Sequence, residues 1–83
     1  MKSIKVGGIT YKIEHKDLDD SMGKTDFTKS TICLDEKLNK DQEQATLIHE
    51  VIHCINNQLS EDKVEFLAQA LYQIIKDNNL WRK

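Results

Sequence analysis

His49-Glu50-Val51-Ile52-His53 is an HExxH pentapeptide, and it carries the clearest chemistry in this chain. On a helix, residues four apart lie one turn apart on the same side, so the two imidazoles can face one point. Such a pair can hold one Zn²⁺ at about 2.0–2.1 Å per nitrogen. Glu50 follows the first ligand, so it projects beside the metal without binding it. There it can take a proton from a zinc-bound water, whose pKa the metal lowers toward ~7. Given this chain's content of His and Glu, chance alone produces HExxH somewhere in it with a probability below roughly one per cent. Ile48, Val51, Ile52 and Ile55 form an apolar stripe at helical spacing and are the expected core of that helix. His49 and His53 fall together about a third of a turn off its centre, at the rim of a core, where ligands can face a cleft.

A catalytic zinc needs a third protein ligand and one open position. His15, Cys33, Cys54, Glu61 and Glu65 are the candidates. Cys54 points about 100° away from His53 and is expected to pack as a small apolar residue. Cys33 alternates with Ile32 and Leu34 and reads as a buried thiol, while His15 closes a strand and reads as surface polar. The second helix is more informative. Val64, Leu67, Ala68, Leu71 and Ile75 form its apolar stripe, and Glu65 flanks it, with Tyr72 two turns further along the same side. Counting outward from Gln58 in an antiparallel pair sets Glu65 level with Val51, between the two histidines. Glu61 falls nearer the loop, level with Ile55. The count predicts Glu65 as third ligand and leaves Glu61 as an N-terminal helix charge.

The elements that must position these groups are legible around them. Ile4 and Val6, then Ile9, Tyr11 and Ile13, alternate with polar residues on either side of Gly7-Gly8, a β-hairpin signal. Residues 16–24 read as a polar loop. Asp17, Asp19 and Ser21 suggest a calcium loop, but the required Gly and Glu positions hold Met22 and Thr28, which excludes it. Thr25 to Thr28 and Ser30 to Leu34 are β-prone, as a second hairpin or as one edge strand, Thr31 to Leu34. Asn39 caps a helix expected from Lys40 to Asn56, with Gln42 completing a capping box. Ser60 caps a second helix from Glu61 to about Asn78, and the short break between them makes the two antiparallel neighbours. The expected fold class is α+β: a small antiparallel sheet of about three to four strands packed on two antiparallel helices.

Composition bounds the rest. Eighty-three residues make one domain, 1–83, whose small core leaves room for a metal staple. A net charge of −2 with no basic face argues against nucleic acid as a partner. No apolar run approaches the roughly 20 residues that span a bilayer, so no membrane partner is expected. There is no secretory pattern and no disulfide framework, and the expected compartment is the cytoplasm.

At Thr46-Leu47-Ile48-His49-Glu50-Val51-Ile52-His53 the chain resembles the small gluzincin-type metallopeptidases, the minigluzincins, and the short HExxH proteins of bacteria and phages. The resemblance takes in the IKVGGITYKIE opening, the Gly23 loop, ICLDEKL and VEFLAQALY. Such proteins are similar to the catalytic half of larger ImmA/IrrE-like peptidases, whose HExxH is followed by a Glu on the next helix. The resemblance implies one zinc per chain on His49, His53 and Glu65, with Glu50 as general base and acid. It implies a peptide or protein substrate pairing along an edge strand at Ile32, Cys33 and Leu34. Thermolysin-type members place an Asp four residues after the third ligand; this chain has Gln69 there. For the oxyanion, Tyr72 is the first candidate, with Tyr11 and His15 behind it. Trp81 is expected to pack on the hairpin or a helix, and a tail lying in the cleft would make the protein latent. The rival readings are a non-catalytic zinc-stapled interaction module and a plain α+β binding domain without metal.

Overall fold

The computed structural model describes residues 2–80, so Trp81 lies outside the described residues. The order is β1 (Ser3–Val6), β2 (Ile9–Lys16), β3 (Gly23–Asp26), β4 (Thr31–Asp35), α1 (Lys40–Ile55) and α2 (Glu61–Asp77), an α+β arrangement. β1 and β2 form the expected hairpin. Gly7 and Gly8 make its turn at φ of 58° and 92°, where an L side chain is disfavoured. β3 and β4 form a second hairpin. Asn39 and Gln42 make the capping box of α1, and Ser60 accepts from the Lys63 amide at the start of α2. Among the described residues no helix is long and apolar enough to cross a membrane.

The sheet order is β1-β2-β4-β3, with β2 and β4 parallel and the other two pairs antiparallel. The sheet is therefore mixed, not purely antiparallel as expected. The cause lies in the strand compositions. β4 is apolar and all but its last residue is buried, so it takes the inner place beside β2, and polar β3 (Gly-Lys-Thr-Asp) stays at the rim. One expectation is corrected by this topology. Ile32, Cys33 and Leu34 are not on an edge, because β2 and β4 pair along one side of that strand and β3 and β4 along the other. The edges are β1 and β3.

α1 carries two apolar stripes where the sequence suggested one. Leu47 packs on the sheet with Tyr11, Ile13, Ile32 and Leu34, and Val51 and Cys54 join that cluster. Ile48 and Ile52 turn the other way and pack with Leu59, Val64 and Ala68. Ile55 is exposed. Among the described residues α2 contacts α1 and no strand. It therefore buries only the narrow seam of Val64 and Ala68, and Leu67 and Leu71 of the predicted stripe stay exposed.

Candidate metal centre

α1 is the floor of a cleft. Residues 20–23, leading into edge strand β3, form one wall and α2 the other, around a cavity of about 520 Å³. His49, Glu50, Ala45 and Thr46 line its floor, Met22 and Gly23 one side, and Glu65, Ala68, Gln69 and Tyr72 the other. Gly23 is what allows the strand so close. A Cβ there would stand 2.6 Å from Thr46 Cγ2 and 3.2 Å from the Cys33 carbonyl oxygen.

Glu50 sits under that strand. It is 6% exposed, and its Oε1 accepts a hydrogen bond of 2.7 Å from Thr25 Oγ1. Its Oε2 lies 3.4 Å from where a Gly23 side chain would begin. A buried carboxylate needs such a partner, since an unsatisfied one costs several kcal/mol. Sequence reasoning missed Thr25 entirely. Its role depends on the register of β3 against α1, which no local pattern encodes.

The two histidines are half-buried with ring centroids 5.0 Å apart; His49 lines the cleft, and His53 follows one turn nearer the α1–α2 loop. The Glu61 carboxylate spans them: Oε1 is 3.2 Å from His49 Nε2, and Oε2 is 3.2 Å from His53 Nε2. One ligand atom from each of His49, His53 and Glu61 lies within 4.8 Å of the others. Zinc bonds of about 2.0–2.2 Å in a tetrahedron set ligand atoms roughly 3.3–3.5 Å apart, and each imidazole has a Glu61 oxygen 3.2 Å away, so the three side chains stand close enough to share one ion. Two imidazoles and one carboxylate are also a donor set zinc uses in catalytic sites.

Glu65 reaches a different atom. Its Oε1 is 3.1 Å from His49 Nδ1, and its Oε2 accepts 2.6 Å from Gln69 Nε2. The structure thus brings Glu61, not the predicted Glu65, to both Nε2 atoms, and sets Glu65 behind one ring. Both glutamates lie on the α1-facing side of α2, one turn apart. Counting residues across the break fixes their heights but not which ring nitrogen each meets.

The remaining candidates are engaged elsewhere. His15 pairs with Glu43 in the first turn of α1. Cys33 is buried in β4. Cys54 packs at the margin of the sheet cluster. Burial pushes its thiol pKa up and the Glu50 charge adds to that, while hydrogen bonds to Tyr11 and Thr25 act the other way. Tyr11 is buried in the sheet core and its hydroxyl pKa is also raised, first by burial and then by Cys54. Tyr72 lines the cleft, but its hydroxyl donates to Asp41 Oδ1 at 2.9 Å. Asp41 and His49 are eight residues apart on α1, about 12 Å along its axis. Tyr72 therefore stands in the same cleft as His49 and Glu50 with its hydroxyl turned toward the far end of α1. Asp41 is held below the usual carboxylate range by the Lys76 ammonium first and the Tyr72 hydroxyl second.

Searches of protein-family models, curated proteins and solved structures return no match for this chain.

Proposed function

We propose that this chain is a zinc-dependent metallopeptidase, with one zinc held by His49, His53 and Glu61 and with Glu50 as general base. The observation that carries this reading is the Glu61 carboxylate spanning two Nε2 atoms one residue away from a buried, oriented glutamate. When bound, zinc supplies Lewis acidity, polarising a scissile carbonyl and acidifying water. The chain's own residues do the rest. Glu65, braced by Gln69, stands at Nδ1 of His49, where a carboxylate fixes the tautomer and the angle of a ligating ring. Thr25 occupies one Glu50 oxygen and leaves the other on the Gly23 side of the cleft. That oxygen can hold a proton taken from water and return it to the leaving amine. Edge strand β3, beside the cleft, replaces β4 as the place where an extended peptide pairs its backbone. The likeness to small gluzincin-type peptidases points the same way, and the free thiols of Cys33 and Cys54 favour a reducing, cytoplasmic setting.

One observation favours a second reading, a zinc-stapled interaction module without catalysis. Among the described residues α2 packs on α1 alone, so a metal tying Glu61 to both histidines would fasten a lightly held helix. Metal analysis of untagged protein together with hydrolysis of an unfolded protein substrate separates the two. The peptidase binds one zinc and cleaves, and Glu50→Gln keeps the zinc and loses cleavage. Zinc without cleavage in the wild type selects the module, and absence of zinc ends both.

A further inference from the structure

α2 is apolar on two sides and covered on one. Val64 and Ala68 are buried against α1, whereas Phe66, Leu67, Leu71 and Ile74 are 72%, 40%, 42% and 44% exposed. At about 100° per residue, Lys63, Phe66, Leu67, Ala70, Ile74 and Asp77 share one sector roughly 100° wide. That sector is turned about 130° from the Val64–Ala68 seam and further still from Glu61 and Glu65, so covering it leaves the candidate metal centre open.

We infer that this face pairs with a second copy of the chain. Apart from Leu67, the sector is symmetric in position about Ala70: Phe66 and Ile74 stand four residues to either side, Lys63 and Asp77 seven. In an antiparallel pair of α2 helices with a two-fold axis through Ala70, Phe66 of one copy meets Ile74 of the other. The small Ala70 side chains meet at the axis and let the helices approach. Lys63 then meets Asp77 at both ends.

The charges support this partner independently of the apolar pattern. Lys63 is in the first turn of α2 and Asp77 is its last residue, so each opposes its own helix dipole. Among the described residues neither makes an ion pair. Asp77 accepts only a neutral bond, from Gln73 Nε2 at 3.1 Å. A second copy places the opposite charge beside each. The exposed apolar side chains of the face amount to about 300 Å² per copy, so with Lys63 and Asp77 at its ends the pair buries less than about 1,000 Å², the size of a weak, transient interface. A dimer of this size is reversible, populated over the micromolar to millimolar range.

Sedimentation equilibrium of the full chain from micromolar to millimolar concentration tests this, with circular dichroism checking that each variant is folded. The wild type should show a concentration-dependent monomer–dimer equilibrium. Phe66→Glu and Lys63→Glu should each weaken it about tenfold or more, and Lys63→Glu/Asp77→Lys should recover most of the loss. A wild type that stays monomeric to millimolar concentration overturns the inference, whether or not another protein covers the face. So does a dimer that Phe66→Glu leaves unchanged, and a charge swap that recovers nothing overturns the antiparallel pairing.

Discussion

The two sides of α1 are built to different standards. Toward the sheet it meets a cluster that includes Ile32 and Leu34, both all but fully buried, and this side carries Glu50 under the Thr25 hydrogen bond. Toward α2 it meets only Ile52, Val64 and Ala68 with Ile48 and Leu59 at the margin, and Glu61 and Glu65 ride on that outer helix. The group assigned to proton transfer is thus fixed by the well-packed side, and the carboxylate assigned to metal binding by the lightly packed one. Proton transfer depends on sub-ångström placement. A ligand on a looser element can be drawn in by the metal itself, which supplies binding energy as it orders the site.

The largest test of this contrast is a pair of core truncations. Leu34→Ala should cost about 3–5 kcal/mol and lower the stability of the whole molecule. Val64→Ala removes less volume and should cost about 2 kcal/mol, read mainly as faster amide exchange in α2 while the sheet stays protected. Denaturant unfolding and hydrogen exchange measure the two; equal loss of protection in sheet and α2 for Val64→Ala would erase the distinction.

Metal is the next largest lever. Free zinc at about 100 times its dissociation constant should stabilise the wild type by about 2.7 kcal/mol. A chelator should reverse that shift in melting temperature and leave His49→Ala/His53→Ala unmoved. Zinc titration then separates the glutamates. Glu61→Gln should lose affinity about 100-fold or more, as expected for a ligand, and Glu65→Gln about 10-fold, as expected for a group that orients one. The reverse ranking returns the third ligand to Glu65.

The close approach of β3 to α1 predicts a smaller effect. Gly23→Ala should cost about 1–3 kcal/mol, because the new Cβ meets Thr46 Cγ2 at 2.6 Å. Thr46→Ser removes that methyl and should restore part of the loss, seen as recovered melting temperature in the double variant.

The smallest effect is at acid pH. Asp41 and Asp17 are exposed carboxylates whose pKa values lie below the ordinary 3.8, through Lys76 and Lys37 respectively. Their contribution is complete above that ordinary value and is lost as pH falls through the lowered folded values. Solvent screens such pairs, so the melting temperature should drop only modestly there, and Asp41→Asn should flatten part of that drop.

Much of this was readable in the chain and some was not, for identifiable reasons. HExxH spacing, the Asn39 and Ser60 caps and the Gly7-Gly8 turn are local signals, and each stands in the structure as a local feature. The expected edge at Ile32 to Leu34 failed because strand order is a non-local property; a run of apolar residues says that a strand is buried, not which neighbours bury it. The single stripes expected on α1 and α2 failed in opposite ways. α1 is sandwiched and uses two faces, whereas α2 has one neighbour and uses less of its apolar surface than it offers. Thr25 and the relative places of Glu61 and Glu65 depend on how separate elements meet, to within one helical turn.

Because β2 and β4 run parallel, the centre of the sheet cannot close as a hairpin. It joins Lys12 to Thr31, 19 positions apart along the chain (31 − 12). That loop must close before its contacts repay the lost chain entropy, so this pairing costs more to form than either hairpin beside it. The α1–α2 hairpin, by contrast, assembles from near neighbours, and His49, His53 and Glu61 all lie within it. On the proposed assignment the three metal donors therefore belong to one local hairpin, whereas the hydroxyl that holds Glu50 reaches it from a strand 25 positions back along the chain.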